Sequence, residues 1–397
     1  MKYQMYRVLN DGRHRVLIGG AAAYCIANIS WWLQPALINE VLLRLHLGDA
    51  SAGLVASAEM AAMAFSSMIL ARQVRKLSFR LLAGIGAIIA IIGNLFSSFI
   101  TNYPDLLMMR CLVGLGEGAA LAVSSACFAD FENPDGAYAN VGVINILLGT
   151  ILVFIFPFMG SVLTKNNIIF PFMSIIVFIL SIFIYFLPKK NSYNNNLSSV
   201  VIPAHHIFSW KLMRLVMATF TVVVTSGAMW SFYYILGEKA GLSNASINNA
   251  ITLAVFLSLI GGGLASFCGT RFGRLKPVSC GMLCISTAIV LMSLCSNGAI
   301  FRLSACINVA GIYFLIPYFF GYAAAQDSTG RDAAVVGGAF LLTGAVGPYL
   351  GGIIIENFGI IAMAILVPIT NILAWLLFFS VSKKKYMRRK ELFTQQC

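Results

Sequence analysis

Twelve apolar runs, each near the roughly 20 residues an α-helix needs to cross a hydrocarbon core about 30 Å thick, decide what this chain can fold into. They fall at 16–43, 51–71, 80–101, 104–129, 138–163, 167–188, 211–236, 246–269, 276–297, 299–324, 333–355 and 358–381 of the 397 residues. With 59% hydrophobic residues, only 10% charged ones and a mean hydropathy of +0.86, an ordinary soluble protein is excluded. The fold class expected is all-α and integral to a membrane. The first run, from about Val16 to Leu45, is too long for a signal-peptide core, so it is read as a span that stays.

The formal charge of +13 would point to nucleic acid in a soluble protein, but its distribution points to a lipid bilayer instead. Of 27 basic residues, 22 fall on one side when the spans are threaded from an inside N-terminus: four in the first 15 residues, four in 72–80, four around 189–214, three in 271–276, Arg331, and six in 383–390. Arg44, Lys165, Lys239 and Arg302 fall on the other side. That asymmetry places both termini in the cytoplasm.

The longest polar connection, containing Lys189-Lys190-Asn191 and the pair His205-His206, has the composition of a linker. No third ligand stands near the histidines, so they are read as solvated rather than as a metal site. The chain divides into a tail at 1–15, a six-helix half at 16–188, the linker at 189–210, a second six-helix half at 211–382 and a basic tail at 383–397. A repeat supports the division: Arg72-Gln-Val-Arg75-Lys76 closes the second span, Arg271-Phe-Gly273-Arg274 closes the eighth, and the same 199-residue offset relates Trp31 to Trp230. The nine cysteines carry no metal-ligand spacing and are read as apolar fillers or free thiols, so no metal or cofactor is expected.

Three charges lie deep in apolar spans. Arg110 and Glu117 are about 9 Å and 20 Å along the fourth span at 1.5 Å per residue, seven residues apart and so on one face. Glu59 is about 12 Å into the second. An ionisable group at such depth costs about 3 kcal/mol and marks a functional site by default. The plainer readings are that Arg110 snorkels to the interface and that Gly114, Gly116 and Gly118 form a helix-packing surface. A carboxyl group buried without a cation holds its proton more tightly than one in water. Glu59 and Glu117 are therefore the proton-coupling candidates, with Arg110 as the charge a deprotonated acid would pair with. Glu40 and Glu356 lie near outer ends, where a solvated role fits. No Gly-rich loop followed by Lys-Ser/Thr is present, which argues against an ATP-driven pump.

On these features the chain resembles the major facilitator superfamily, the secondary transporters built of twelve helices in two six-helix halves. The likeness runs from about residue 15 to 382. The family signature after the second helix is Gly-x-x-x-Asp-Arg-x-Gly-Arg-Arg/Lys. Its first copy here, Ser67 to Lys76, lacks both glycines and the aspartate; its second, Ser266 to Arg274, keeps Gly273 but also lacks the acid. In the family that aspartate helps lock the cytoplasmic ends, so the resemblance makes Arg72, Arg75, Lys76, Arg271, Gly273 and Arg274 gate or loop candidates with an altered lock. Arg110-x-x-x-Gly114-x-Gly116-x-Gly118 is similar to the family's fourth-helix motif, whose arginine is linked to proton movement in proton-coupled members. Gly347-Pro348-x-x-Gly351-Gly352 in the eleventh span is similar to a motif that exchangers carry on the fifth helix, where this chain has only Gly149, Pro157 and Gly160. Gly114, Gly118, Gly347, Pro348 and Gly351 are read as hinge or packing residues, since Pro removes a backbone bond and Gly permits close approach.

Tyr24, Asn28 and Trp31 follow i, i+4, i+7 spacing and form one polar-aromatic stripe. With Asn145, Trp230, Tyr234, Asn308 and Tyr318 they are the substrate-binding candidates, the kind of lining that suits an amphipathic or ring-bearing solute. The expected function is proton-coupled efflux of a drug-like or amphipathic compound by alternating access, from a monomer in a bacterial inner membrane, with no nucleic acid and no catalysis. Two alternatives stay open: a proton-linked importer of a metabolite such as an organic anion, and a membrane-embedded enzyme, for which the acidic loop Asp130 to Asp135 is the nearest feature.

Overall fold

The computed structural model describes residues 2–71, 73–131, 134–163, 168–188, 209–326 and 331–394. Every regular element among them is helical. In chain order the α-helices are α1 (Lys2–Leu45), α2 (Asp49–Ala71), α3 (Phe79–Ser97), α4 (Tyr103–Ala129), α5 (Pro134–Leu163), α6 (Ile169–Phe183), α7 (Trp210–Ser231), α8 (Tyr233–Lys239), α9 (Asn244–Cys268), α10 (Leu275–Leu294), α11 (Gly298–Ala324), α12 (Arg331–Phe358) and α13 (Ala362–Thr394). Twelve of these are long and apolar enough to cross a membrane.

Helix starts follow local chemistry. Ser78, Asn102, Ser209, Ser243 and Asn297 each accept a bond from a backbone N–H two or three residues on, which satisfies a donor that the first turn leaves open. In α4, Asn102 is followed by Pro104 in the first turn, where a missing N–H does no harm.

Two differences from the expected spans are plain. Helical backbone in α1 takes in most of the segment read as a tail at 1–15, and α13 continues to Thr394, past residue 382. The seventh span, expected unbroken over 211–236, is interrupted at Phe232 (φ −111°, ψ 25°), which ends α7 and begins α8. The Ser231 hydroxyl donates to the Gly227 carbonyl at 2.9 Å, a back-bond that bends helices. Arg72, His205, His206 and residues 189–208 of the linker lie outside the described residues.

The chain forms two compact units, Met1–Ser199 and Val200–Cys397. In the first, α4 packs on α2, α3 and α1, and α1 packs on α5 and α6. In the second, α11 packs on α9, α10 and α7, and α7 packs on α12 and α13. The same pairs recur at equivalent places, so the repeat read from two sequence matches extends to the packing of each unit.

Small residues bring the helices close. A Cβ at Gly114 would collide with the Glu59 carbonyl, and one at Gly118 with the Met63 carbonyl, so α4 lies on α2 nearly backbone to backbone. In the second unit a Cβ at Gly261 would strike Ala310, while Gly347 lies against Val224 and Gly351 against Ala228. Pro348 sits inside α12 between Gly347 and Gly351.

Candidate functional site

The α2–α4 approach brings three deep charges together. Arg110 lies one turn before Gly114 and Glu117 about one turn after it, so the glycine that rests on the Glu59 backbone puts both side chains beside that acid. Arg110 and Glu117 have no exposed surface, and Glu59 is buried with them. The Arg110 guanidinium grips Glu59 with two nitrogens: Nε donates to Oε2 at 3.1 Å and Nη2 donates to Oε1. Nη1 donates to Asn94 Oδ1 on α3 at 2.7 Å. The cation also stands over the buried ring of Phe170 on α6, 5.3 Å from its centroid.

Ser30 of α1 closes the cluster. Its Oγ is 2.7 Å from Glu59 Oε1 and 2.6 Å from Glu117 Oε1. Glu117 Oε2 is buried and has no hydrogen-bond partner. The group therefore comprises two carboxyls, one guanidinium, one hydroxyl and one amide, drawn from four helices of one unit. Sequence reasoning found Glu59, Arg110 and Glu117 and missed Ser30 and Asn94. Small polar residues are ordinary in membrane helices, so nothing local set these two apart; only the charges they touch do.

Glu40 departs from its expected solvated role. Its Oε2 accepts from the Ile169 N–H at 3.1 Å, so it caps the first turn of α6 from the neighbouring helix, and its Oε1 is buried. Arg44, one turn on, donates to the Ser97 carbonyl at 3.0 Å and stands over Phe170, 5.0 Å from the ring centroid. One phenyl ring thus meets both Arg44 and Arg110.

The stripe of Tyr24, Asn28 and Trp31 is half-buried, on the side of α1 away from Ser30. Asn28 turns its amide onto its own helix, donating to the Tyr24 carbonyl at 2.7 Å, and the Tyr24 ring meets Phe128 edge-on. Asn145 is occupied within the unit: its Oδ1 accepts from the Trp32 indole at 3.2 Å. Its partner is the buried neighbour of Trp31.

In the second unit the candidates form neutral pairs. Tyr234 donates to Asn248 Oδ1 at 2.7 Å, and Asn308 Nδ2 donates to the Tyr233 hydroxyl at 2.7 Å. Trp230 meets Tyr233 edge-on, with centroids 5.4 Å apart. Three of the buried polar atoms that have no hydrogen-bond partner among the described residues are Ser226 Oγ, Asn308 Oδ1 and the Tyr318 hydroxyl. Since buried polar atoms are nearly always bonded, these three are places where a solute or water would bond.

Of the loop candidates, Lys76 and Arg271 are exposed. Arg271 stands over Phe267 and Arg274 over Tyr322, at 5.2 and 5.5 Å from the ring centroids. Gly273 has φ +69°, a turn conformation that costs glycine little. The side chain of Arg75 lies outside the described residues.

A sequence model of the Major Facilitator Superfamily matches residues 20–236. No curated protein sequence matches the chain. Among solved structures, the nucleoside transporter NupG superimposes with a TM-score of 0.69 at 15% identity, covering 93% of this chain and 98% of that one. An aspartate-to-alanine variant of NupG gives 0.66 at 16% identity with the same coverage. A bacterial homologue of the human lysosomal transporter Spinster, inward-facing and occupied, gives 0.69 at 15% identity, covering 96% of this chain and 97% of that one.

Proposed function

This chain belongs to the major facilitator superfamily and is an integral membrane transporter of a small solute, and from that premise we propose that it couples the solute to protons through Glu59, Glu117 and Arg110. The observation that carries the reading is the fully buried arrangement in which Arg110 holds Glu59 while Glu117 reaches both only through Ser30. Two acids beside one fixed cation form a group whose charge changes when one proton comes or goes. A secondary transporter needs such a group, together with a site that opens to each side in turn.

The solute is a neutral or cationic amphipathic compound, moved outward by alternating access. The neutral Tyr–Asn pairs and orphaned polar atoms of α7, α8 and α11 support a ring-bearing solute, with Trp230, Tyr234, Asn308 and Tyr318 as its contacts in that unit; Tyr24, Asn28 and Trp31 are separate candidates in the first unit. Export rests on the Gly347-Pro348 segment and on the scarcity of unpaired charge. Import of an organic anion draws less support, because the Arg110 guanidinium is already engaged by Glu59 and Asn94. The protein works as a monomer in a bacterial inner membrane with both termini inside.

Substrate-induced pH change inside proteoliposomes tests the reading, with lipophilic cations, aromatic acids, sugars, siderophore-like chelates and nucleosides as solutes; nucleosides are included because NupG is named for them. We expect one class to move protons in the wild type, with Glu59→Gln or Glu117→Gln abolishing the coupling. A solute that crosses with no proton movement in any variant would defeat it.

A further inference from the structure

Proton counting at Ser30 goes one step past that reading, on which it rests, and says where the proton is. A hydroxyl has one hydrogen. Ser30 Oγ is nevertheless at bonding distance from two carboxyl oxygens, 2.7 Å from Glu59 Oε1 and 2.6 Å from Glu117 Oε1. Two oxygens that close with no hydrogen between them repel, so the two contacts need two hydrogens and one must come from an acid. Glu59 is gripped by the Arg110 Nε and Nη2, the arrangement of an ionised carboxylate with a guanidinium. Among the described residues no cation is bonded to Glu117, and its Oε2 is buried without a hydrogen-bond partner, a place where a neutral carbonyl oxygen costs far less than half of a charge.

The geometry points to Glu117 as the acid that holds the proton, with Ser30 as a relay between it and the ionised Glu59. Glu117 Oε1–H donates to Ser30 Oγ, and Ser30 Oγ–H donates to Glu59 Oε1. With Arg110 positive and Glu59 negative the cluster is neutral. In the relay step the Glu117 O–H bond breaks as a new Ser30 O–H forms, and the old Ser30 O–H breaks as a Glu59 O–H forms. The products are an ionised Glu117, a neutral Glu59 and an intact serine, so atoms and charge balance with no further reagent. Arg110 then loses its counter-ion on α2, and the acid left charged stands on α4, the helix that carries Arg110 itself. Ser30 is a positioning residue: it sets the line along which the proton passes.

Infrared difference spectroscopy on the reconstituted protein, between neutral and alkaline pH and without solute, reads this directly. We expect the carbonyl stretch of a protonated carboxylic acid, lost in Glu117→Gln. In Ser30→Ala the band should remain but move to the position of an acid without a hydrogen-bond acceptor, a shift that a merely space-filling serine would not cause. Glu117→Gln should fold, since the amide can donate to Ser30 as the acid does; Glu117→Asp gives a second check, keeping a protonated-acid band that is displaced from the wild-type one. A band undiminished in Glu117→Gln, or no such band in folded protein, overturns the assignment, and a band unmoved in Ser30→Ala overturns the relay. The two readings fail separately. A band that follows Glu117 in a protein moving no proton with any solute keeps the assignment and sinks the coupling; proton movement with a band indifferent to Glu117 does the reverse.

Discussion

At Glu59 one carboxylate answers two neighbours, bonding Arg110 through both oxygens and Ser30 through one. Removing its charge strands a guanidinium that has no exposed surface. We expect Glu59→Gln to lower stability by about 3–5 kcal/mol, the cost of leaving a buried charge unpaired, seen as a fall in melting temperature in detergent. Glu117→Gln should leave the melting temperature nearly unchanged; equal losses in the two variants would contradict the unequal roles drawn here. Asn94→Ala takes the acceptor from Arg110 Nη1 and should cost about 1–3 kcal/mol in the same assay. The three charged members of this cluster were legible in the sequence, because Arg or Glu in an apolar span is rare enough to stand out. Ser30 and Asn94 were not, since their significance lies wholly in what they touch across helices. Asn145 shows the same limit: an amide in hydrocarbon needs a partner, and nothing in the sequence says that Trp32 bonds it.

Among the helices, the α2–α4 contact is what assembles the site. A Cβ at Gly114 meets backbone, which cannot swing aside as a side chain would. Gly114→Val should therefore push the helices apart at Glu59, abolish coupled transport and lower the yield of folded protein, whereas Gly142→Ala, with open space around it, should be neutral in both measurements. Wild-type transport in Gly114→Val would show that the close approach is dispensable. In the other unit, Tyr233→Phe removes the acceptor of the Asn308 amide and should cost about 1–3 kcal/mol of stability, read by thermal unfolding. Span number and the packing glycines could be read from composition and spacing. The break at Phe232 could not, because no proline marks it in the sequence. Nor could the capping of α6 by Glu40, a contact between residues 129 apart in the chain.

For the whole molecule, the two units share a packing scheme but not its chemistry. At the repeat offset Glu59 corresponds to Ser258, a buried serine that donates to its own helix at Val255, and Arg110 corresponds to Val309. Among the described residues, the fully buried charges lie in the first unit. Sidedness is testable at this scale: Lys76→Cys and Arg271→Cys should resist a membrane-impermeant thiol reagent added to intact cells, while Arg302→Cys should react with it. Labelling in the opposite sense would reverse the topology drawn from the basic residues. The ion pair between α2 and α4 also bears on how the protein is made. Ribosomes deliver Glu59 to the membrane well before Arg110, so α2 enters the lipid with an acid whose counter-charge has yet to arrive. When α4 leaves the translocon, the acid already present offsets the roughly 3 kcal/mol penalty on its arginine. Integration of the fourth span then depends on retention of the second nearby, and a chain altered at residue 59 should be recognised by membrane quality control during synthesis, before any question of transport arises.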